Sequence, residues 1–215
     1  MAGPYGGWLS GQKQLIMIIS FSGRIGSGKD TAAQIVQELY PEMNWQIKGV
    51  ADKLRHVAHI FTGIPPLNMT DQDVKNQSLG DEWGGITLRT FLQRLGTDAI
   101  RDNLDESAWV NALMVDYKPF ESYSTGQIVS NISLLEPNWL ITDCRFPNEV
   151  EAVKNRGGTC FRIIRPDNPY PQSTHESETA IDHIEMPTII NDGNLEQLKL
   201  RIREAVEPII KNLGK

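Results

Sequence analysis

The chain has 215 residues, 40% apolar and 22% charged, enough for one sizeable domain with its own core. A net charge of −6 argues against a general nucleic-acid-binding surface and leaves room only for a local basic pocket. The two cysteines, Cys144 and Cys160, form no C-x-x-C pair, so neither a disulfide framework nor a thiolate metal site is supported, and a reducing cytoplasm suits them.

Residues 1–13, MAGPYGGWLSGQK, read as a flexible glycine-rich tail. The apolar LIMIISF that follows is too short for a membrane span of about 20 residues and runs into a glycine loop, unlike a signal peptide. It reads instead as a strand within Gln14 to Ser22, buried on both faces as in a parallel sheet. Gly23 to Gly28 form the loop, and Lys29 to Tyr40 a helix with Ala32, Ile35, Val36 and Leu39 on one face and Pro41 as its stop.

WQIKGVA is a short second strand, and ADKLRHVAHIFTG a helix ended by Gly63. Ile64 to Gly85 carry many breakers and no sustained period, so a long surface loop is expected, of the kind used as a lid or binding segment. TLRTFLQRLGTDAIRDNL and ESAWVNALMVDY read as helices. After a polar stretch come strand NWLITD, helix NEVEAVKNRGG, strand TCFRIIRP, a proline-rich loop turning into a short helix, strand PTIIND and a C-terminal helix. Strands alternating with helices imply parallel β-α units wound on both sides of one sheet.

Gly23 through Gly28 and Lys29 satisfy G-x-x-x-x-G-K after a strand and before a helix. Glycines let backbone N–H groups curl around an anion, the helix aims its positive N-terminus there, and Lys29 adds a mobile full charge. Gly23, Arg24, Ile25, Gly26, Ser27, Gly28, Lys29, Asp30 and Thr31 are therefore the expected ATP-phosphate contacts. Where the usual motif has a Mg²⁺-binding hydroxyl stands Asp30, with Thr31 one place later, a spacing that resembles the loop of adenylate kinases. Asp30 has two readings: a magnesium partner through water, or a first-turn carboxylate favoured by the helix dipole.

WLITDCRFPNEVEAV puts Asp143 at the end of a buried strand, where α/β sheets bind ligands, and Arg145 two residues on. Asp143 is placed like the strand-end acid that orients Mg²⁺, and Arg145 like a cation for a transferring phosphate; an ion pair fixing the turn is the structural alternative. Gln93, Thr97 and Arg101 lie four apart on one helix face, which suits phosphate and base-edge contacts, and Arg55, Arg89 and Arg94 add further cations. His175, Glu176 and Glu178 do not have the H-E-x-x-H spacing and are read as part of a lid beside Arg165.

Together GRIGSGKDT, ADKLR, LQRLGTDAIRDNLDESAWV, TDCRFPNEVEAVKNRGG and HESETAID resemble the phage-type deoxynucleoside monophosphate kinases, from about Ile16 to the last helix. The resemblance implies a three-layer α/β P-loop kinase fold: a five-stranded, mainly parallel sheet with helices on both faces, an acceptor-binding helical region and a lid. It implies one domain over 14–215, with an acceptor-binding insertion at about 51–118 and the lid at about 166–184. The implied reaction moves the γ-phosphoryl group of ATP, with Mg²⁺, to a deoxynucleoside 5′-monophosphate.

Lys29, Asp143, Arg145 and Arg165 are then expected at the chemistry, and Asp52, Arg55, Gln93, Thr97, Arg101, Trp109 and Arg145 at the acceptor. Asp30 and Asp143 would meet the metal through water. No general base is needed, because a monophosphate oxygen is already anionic. The resemblance also suggests a homodimer; the charge balance and the lack of a long apolar segment argue against nucleic-acid and membrane partners, and the expected place is a cytoplasm, the host's if a phage encodes the chain. Rival readings are another small-molecule P-loop kinase, such as one for dephospho-coenzyme A, and a nucleotide-binding switch that transfers nothing. The arginines around a second anion site argue against the switch.

Overall fold

A computed structural model describes residues 17–117, 138–169 and 179–212. The glycine-rich tail, the polar stretch before the third strand and the proline-rich stretch with His175, Glu176 and Glu178 lie outside them.

Five strands, β1 (Ile18–Ser22), β2 (Trp45–Lys48), β3 (Asn138–Ile141), β4 (Thr159–Ile164) and β5 (Thr188–Ile190), form one sheet in the order β2-β3-β1-β4-β5. Every pairing is parallel. β1 sits centrally, and all five of its residues are buried, which explains its unbroken apolar run.

The faces of β1 alternate between two cores. Ile19 and Phe21 pack with Ala32, Ala33 and Val36 of α1 (Lys29–Leu39) and with Leu198, Ile202 and Val206 of α7 (Leu195–Asn212). Ile18 faces the opposite core, with Val110 and Leu113 of α5 (Ala108–Met114) and Val150 and Val153 of α6 (Pro147–Lys154). Helices thus cover both faces, giving the three-layer α/β arrangement. The strand order reverses at β1, so the loops after β1, β3 and β4 meet at the point where such sheets form a crevice.

Between α2 (Ala51–Thr62) and α4 (Leu88–Gln93) the expected surface loop is instead a small folded segment. It holds two 3₁₀ turns, Asn68–Thr70 and Asp81–Trp83, and a short helix α3 (Gln72–Asn76). Met69 is fully buried with Ala58, Leu88 and Phe91, and the Trp83 ring meets Phe91 edge-on at 5.0 Å. Pieces this short never complete a helical period, so the sequence pattern hid them. Among the described residues no helix is long and apolar enough to cross a membrane.

Candidate active site

Side chains hold the carbonyls of the glycine loop. Lys29 Nζ donates to the carbonyls of Gly23 (2.7 Å) and Arg24 (2.8 Å). Asn168 donates to Ile25 O (2.7 Å), Arg165 to Gly26 O (3.4 Å) and Asn191 to Ser27 O (2.9 Å). The N–H of each planar trans peptide points opposite to its C=O, so these bonds fix how the loop amides face, and Ser27 N–H turns back to Arg24 O at 3.1 Å. The loop lies at the start of α1, where a helix N-terminus favours an anion. Gly28 has φ of 102°, and a Cβ there would meet Asn191 Nδ2 at 2.7 Å, so glycine is required both by conformation and by space. Asn191, just past β5, and Asn168, just past β4, have no motif to betray them; only the sheet brings them to the loop.

Asp143 lies beyond the end of β3. Its Oδ1 accepts Val50 N–H at 2.6 Å and its Oδ2 accepts Ala51 N–H at 3.1 Å, tying β3 to the first residues of α2. The residue is half-buried and lines the larger of two cavities. Burial raises its pKa, opposed by the two N–H bonds and by Arg55 and Arg145. Glu149, not singled out by sequence, is buried three residues after Phe146. One of its oxygens accepts the N–H groups of Arg145 (2.6 Å) and Phe146 (3.0 Å), so the N3 acid caps the start of α6. Burial first, and the Asp143 charge second, push its carboxyl up to about 7.

A cavity of 820 Å³ brings together Lys29, Asp30, Asp52, Arg55, Gln93, Thr97, Arg101, Trp109, Asp143 and Arg145. The chain carrying Gln93, Thr97 and Arg101 is a regular helix only to Gln93; Arg94–Arg101 forms a wider π turn, with Asp102 N–H reaching Thr97 O. A wide turn suits a spacing of four better than an α turn does, and all three residues line the cavity. Gly96 permits the turn to press on α2, since a Cβ would lie 2.9 Å from Leu54. Trp109 donates its indole N–H to Gly96 O at 2.9 Å, which fixes the ring at the wall. The Arg101 guanidinium lies 3.6 Å from the Phe146 ring centre and donates to Glu106 O at 2.7 Å. Asp52 accepts Gly49 N–H at 2.7 Å and pairs with Arg55.

A second cavity of 530 Å³ lies on the other side of the loop, lined by Gly23, Arg24, Ser27, Arg162, Arg165 and Asp182. Arg24 and Asp182 form an ion pair at 2.9 Å, and Arg162 donates to the carbonyls of Ile181 and Ile184. Arg145 lines both cavities. Thr31 lines neither.

Among the described residues no three His, Cys, Asp or Glu side chains gather as a metal cage. Mg²⁺ seldom needs one, since it keeps waters and is held by one or two carboxylates together with substrate phosphates. The residues fit such a site. Asp30 is exposed beside Lys29 on the cavity wall, and the buried Ser27 hydroxyl has no hydrogen-bond partner among the described residues. Both Asp143 oxygens already hold an N–H, so it would face a metal only through its remaining lone pairs.

Comparison with known proteins gives these residues a context. The family described as deoxynucleotide monophosphate kinase matches residues 53–202, well over half of the chain. A putative deoxynucleotide monophosphate kinase of Acanthamoeba polyphaga mimivirus is 27% identical over 196 residues, covering 89% of this chain and 97% of that protein. The deoxynucleotide monophosphate kinase of Enterobacteria phage T4 is 28% identical over 136 residues, covering 63% of this chain but 50% of the phage protein. The structure of shikimate kinase from Aquifex aeolicus aligns over 93% of this chain and 100% of that one, at 14% identity and a TM-score of 0.45. By the extent of the family match, this chain belongs to the deoxynucleotide monophosphate kinase family.

Proposed function

We propose that the protein transfers the γ-phosphoryl group of ATP to a deoxynucleoside 5′-monophosphate, giving ADP and the diphosphate. The observation that carries this reading is Arg145, which lines both cavities and so stands between a phosphate cradle and a second, cation-lined pocket. A simple ATPase has no use for the second pocket.

In this reading the ATP phosphates lie along Gly23 to Thr31, with backbone amides of the loop and Lys29 on their oxygens. The acceptor lies in the 820 Å³ cavity, its phosphate near Arg55 and Arg145 and its base between Trp109 and the Gln93–Thr97 edge. An acceptor phosphate oxygen attacks the γ-phosphorus; the bond to the β–γ bridging oxygen breaks, and that oxygen leaves with ADP. No proton need be removed from the nucleophile. Arg145 and Arg165 meet the charge on the moving group from the two sides of the loop. Mg²⁺ bound with ATP would neutralise the β- and γ-oxygens, with Asp30 and Asp143 holding its waters. Asp143 also holds the turn into α2, so that Asp52 and Arg55 keep a fixed distance from Arg145. The segment around Arg165 and Asn168 acts as a lid that excludes water. The same reading takes the protein as a cytoplasmic homodimer, which sedimentation at working concentrations would check.

The test is turnover. Purified protein with ATP and Mg²⁺ is offered deoxynucleoside monophosphates, ribonucleoside monophosphates and dephospho-coenzyme A, and ADP release is followed. Acceptor-dependent ADP with deoxynucleoside monophosphates is expected. ADP with dephospho-coenzyme A alone would identify a different small-molecule kinase. ATP binding with no acceptor-dependent release would identify a switch.

A further inference from the structure

Four cationic side chains from four separate elements line one side of the larger cavity: Arg55 on α2, Lys75 on α3, Arg89 on α4 and Arg145 after β3. Their partners are informative. Arg89 donates to Gln72 Oε1 (2.8 Å) and Asn76 Oδ1 (3.1 Å), two neutral side chains of the α3 region. Lys75 donates to the Thr70 carbonyl at 3.3 Å, again a neutral group. Neutral acceptors orient a cation without cancelling its charge. A carboxylate would have done both, and the acid acting on Lys75, Asp71, spends its Oδ1 on the N–H groups of Asp73 and Val74. The consequence appears in the titration of Lys75: burial lowers its pKa first, and Arg55, Arg89 and Arg145 lower it further. Arg55 is already paired with Asp52, whereas among the described residues Lys75 and Arg89 have only these neutral acceptors; holding such like charges together costs free energy, which a multiply charged anion would relieve.

We propose that Lys75 and Arg89, with Arg55, form the seat of a phosphomonoester dianion, and that this anion is the 5′-phosphate of the acceptor nucleotide. The seat rests on the reading of this cavity as the acceptor site. It assigns a purpose to the folded segment between α2 and α4: its small core around Met69 holds α3 so that Lys75 faces the pocket. The seat is separate from the second cavity, whose arginines are Arg24, Arg162 and Arg165 besides the shared Arg145. Recognition here reads the phosphate rather than the base, so a deoxynucleoside without its phosphate gains nothing from Lys75.

The experiment compares wild-type protein with Lys75→Met, Lys75→Arg and Arg89→Met by equilibrium titration. The titrants are a deoxynucleoside monophosphate, its deoxynucleoside, ATP and inorganic phosphate. Thermal unfolding shows that each variant is folded, as expected for a half-buried lysine beside solvent. Lys75→Met should weaken monophosphate binding about 10- to 100-fold, the usual cost of a charge-assisted contact. Lys75→Arg should recover most of it, and ATP and deoxynucleoside binding should stay within about twofold. Unchanged monophosphate binding in both Met variants, or an equal loss of ATP binding, would overturn the proposal. If wild type binds no nucleoside monophosphate but binds inorganic phosphate through Lys75, the nucleotide acceptor reading falls and the assignment of this anion to it falls too. The anion seat itself would then stand alone.

Discussion

Glu149 accepts the backbone N–H of Arg145 at 2.6 Å, so the residue that lines both cavities is tied through its backbone to a buried acid in the first turn of α6. The same oxygen takes the Phe146 N–H at 3.0 Å, and the Phe146 ring carries the Arg101 guanidinium. One carboxylate thereby organises two of the cations that face the acceptor cavity.

That carboxylate should set part of the pH dependence of stability. Burial, then the nearby Asp143 charge, raise it from 4.5 to about 7, against the pull of the Arg145 and Phe146 N–H groups and Arg101. The folded protein therefore holds the proton more tightly than the unfolded chain. The stabilising contribution is complete below the unfolded value and is lost as pH rises through about 7. By linkage its size is on the order of 3 kcal/mol. Glu149→Gln keeps an oxygen acceptor and removes the titration. Urea unfolding at about pH 5 and about pH 8 should show a smaller fall in stability for the variant. Equal falls would assign the titration to another group.

Lys29→Met should abolish turnover while leaving the fold intact. The aliphatic stem remains to pack, but the ammonium that follows the transferring phosphate is gone. A kcat loss of at least about 100-fold is expected, with a melting temperature near wild type. Retained turnover would remove Lys29 from the chemistry.

Gly23→Ala tests the cradle's backbone. Gly23 has φ of +143°, and a Cβ there would run into the Ile163 carbonyl of β4. The strain should cost on the order of 2 kcal/mol, visible as a lower melting temperature, and should weaken ATP binding more than acceptor binding. A variant that melts like wild type and binds ATP normally would show that the loop has another conformation open to it.

Arg101→Ala should raise the acceptor KM about tenfold with little change in kcat, because the guanidinium over Phe146 belongs to the binding wall. Steady-state kinetics with the acceptor varied at saturating ATP would check this. A fall in kcat at constant KM would instead place Arg101 at the transition state.

β1 and β3 were legible because each is short, bounded by breakers and buried along its whole length, which leaves no polar alternation to confuse it. The fold followed from strand–helix alternation. The segment from Ile64 to Gly85 was not legible as structure, since its 3₁₀ turns and the short α3 are held by Met69 and Trp83 packing on distant Phe91 and Leu88. Lys75 was missed with it. Its role in the pocket depends on a helix too short to show a period.

By itself, the sequence determined the glycine loop, the helix that follows it and the acid and arginine after the third strand, because these depend on local backbone geometry and on near neighbours in the chain. Tertiary structure alone decided which groups share a site. Val50 meets Asp143 across 93 residues, and Asn191 meets Ser27 across 164. Hydrogen bonds and charges act over a few ångströms whatever their separation along the chain, and only the packed sheet sets those distances.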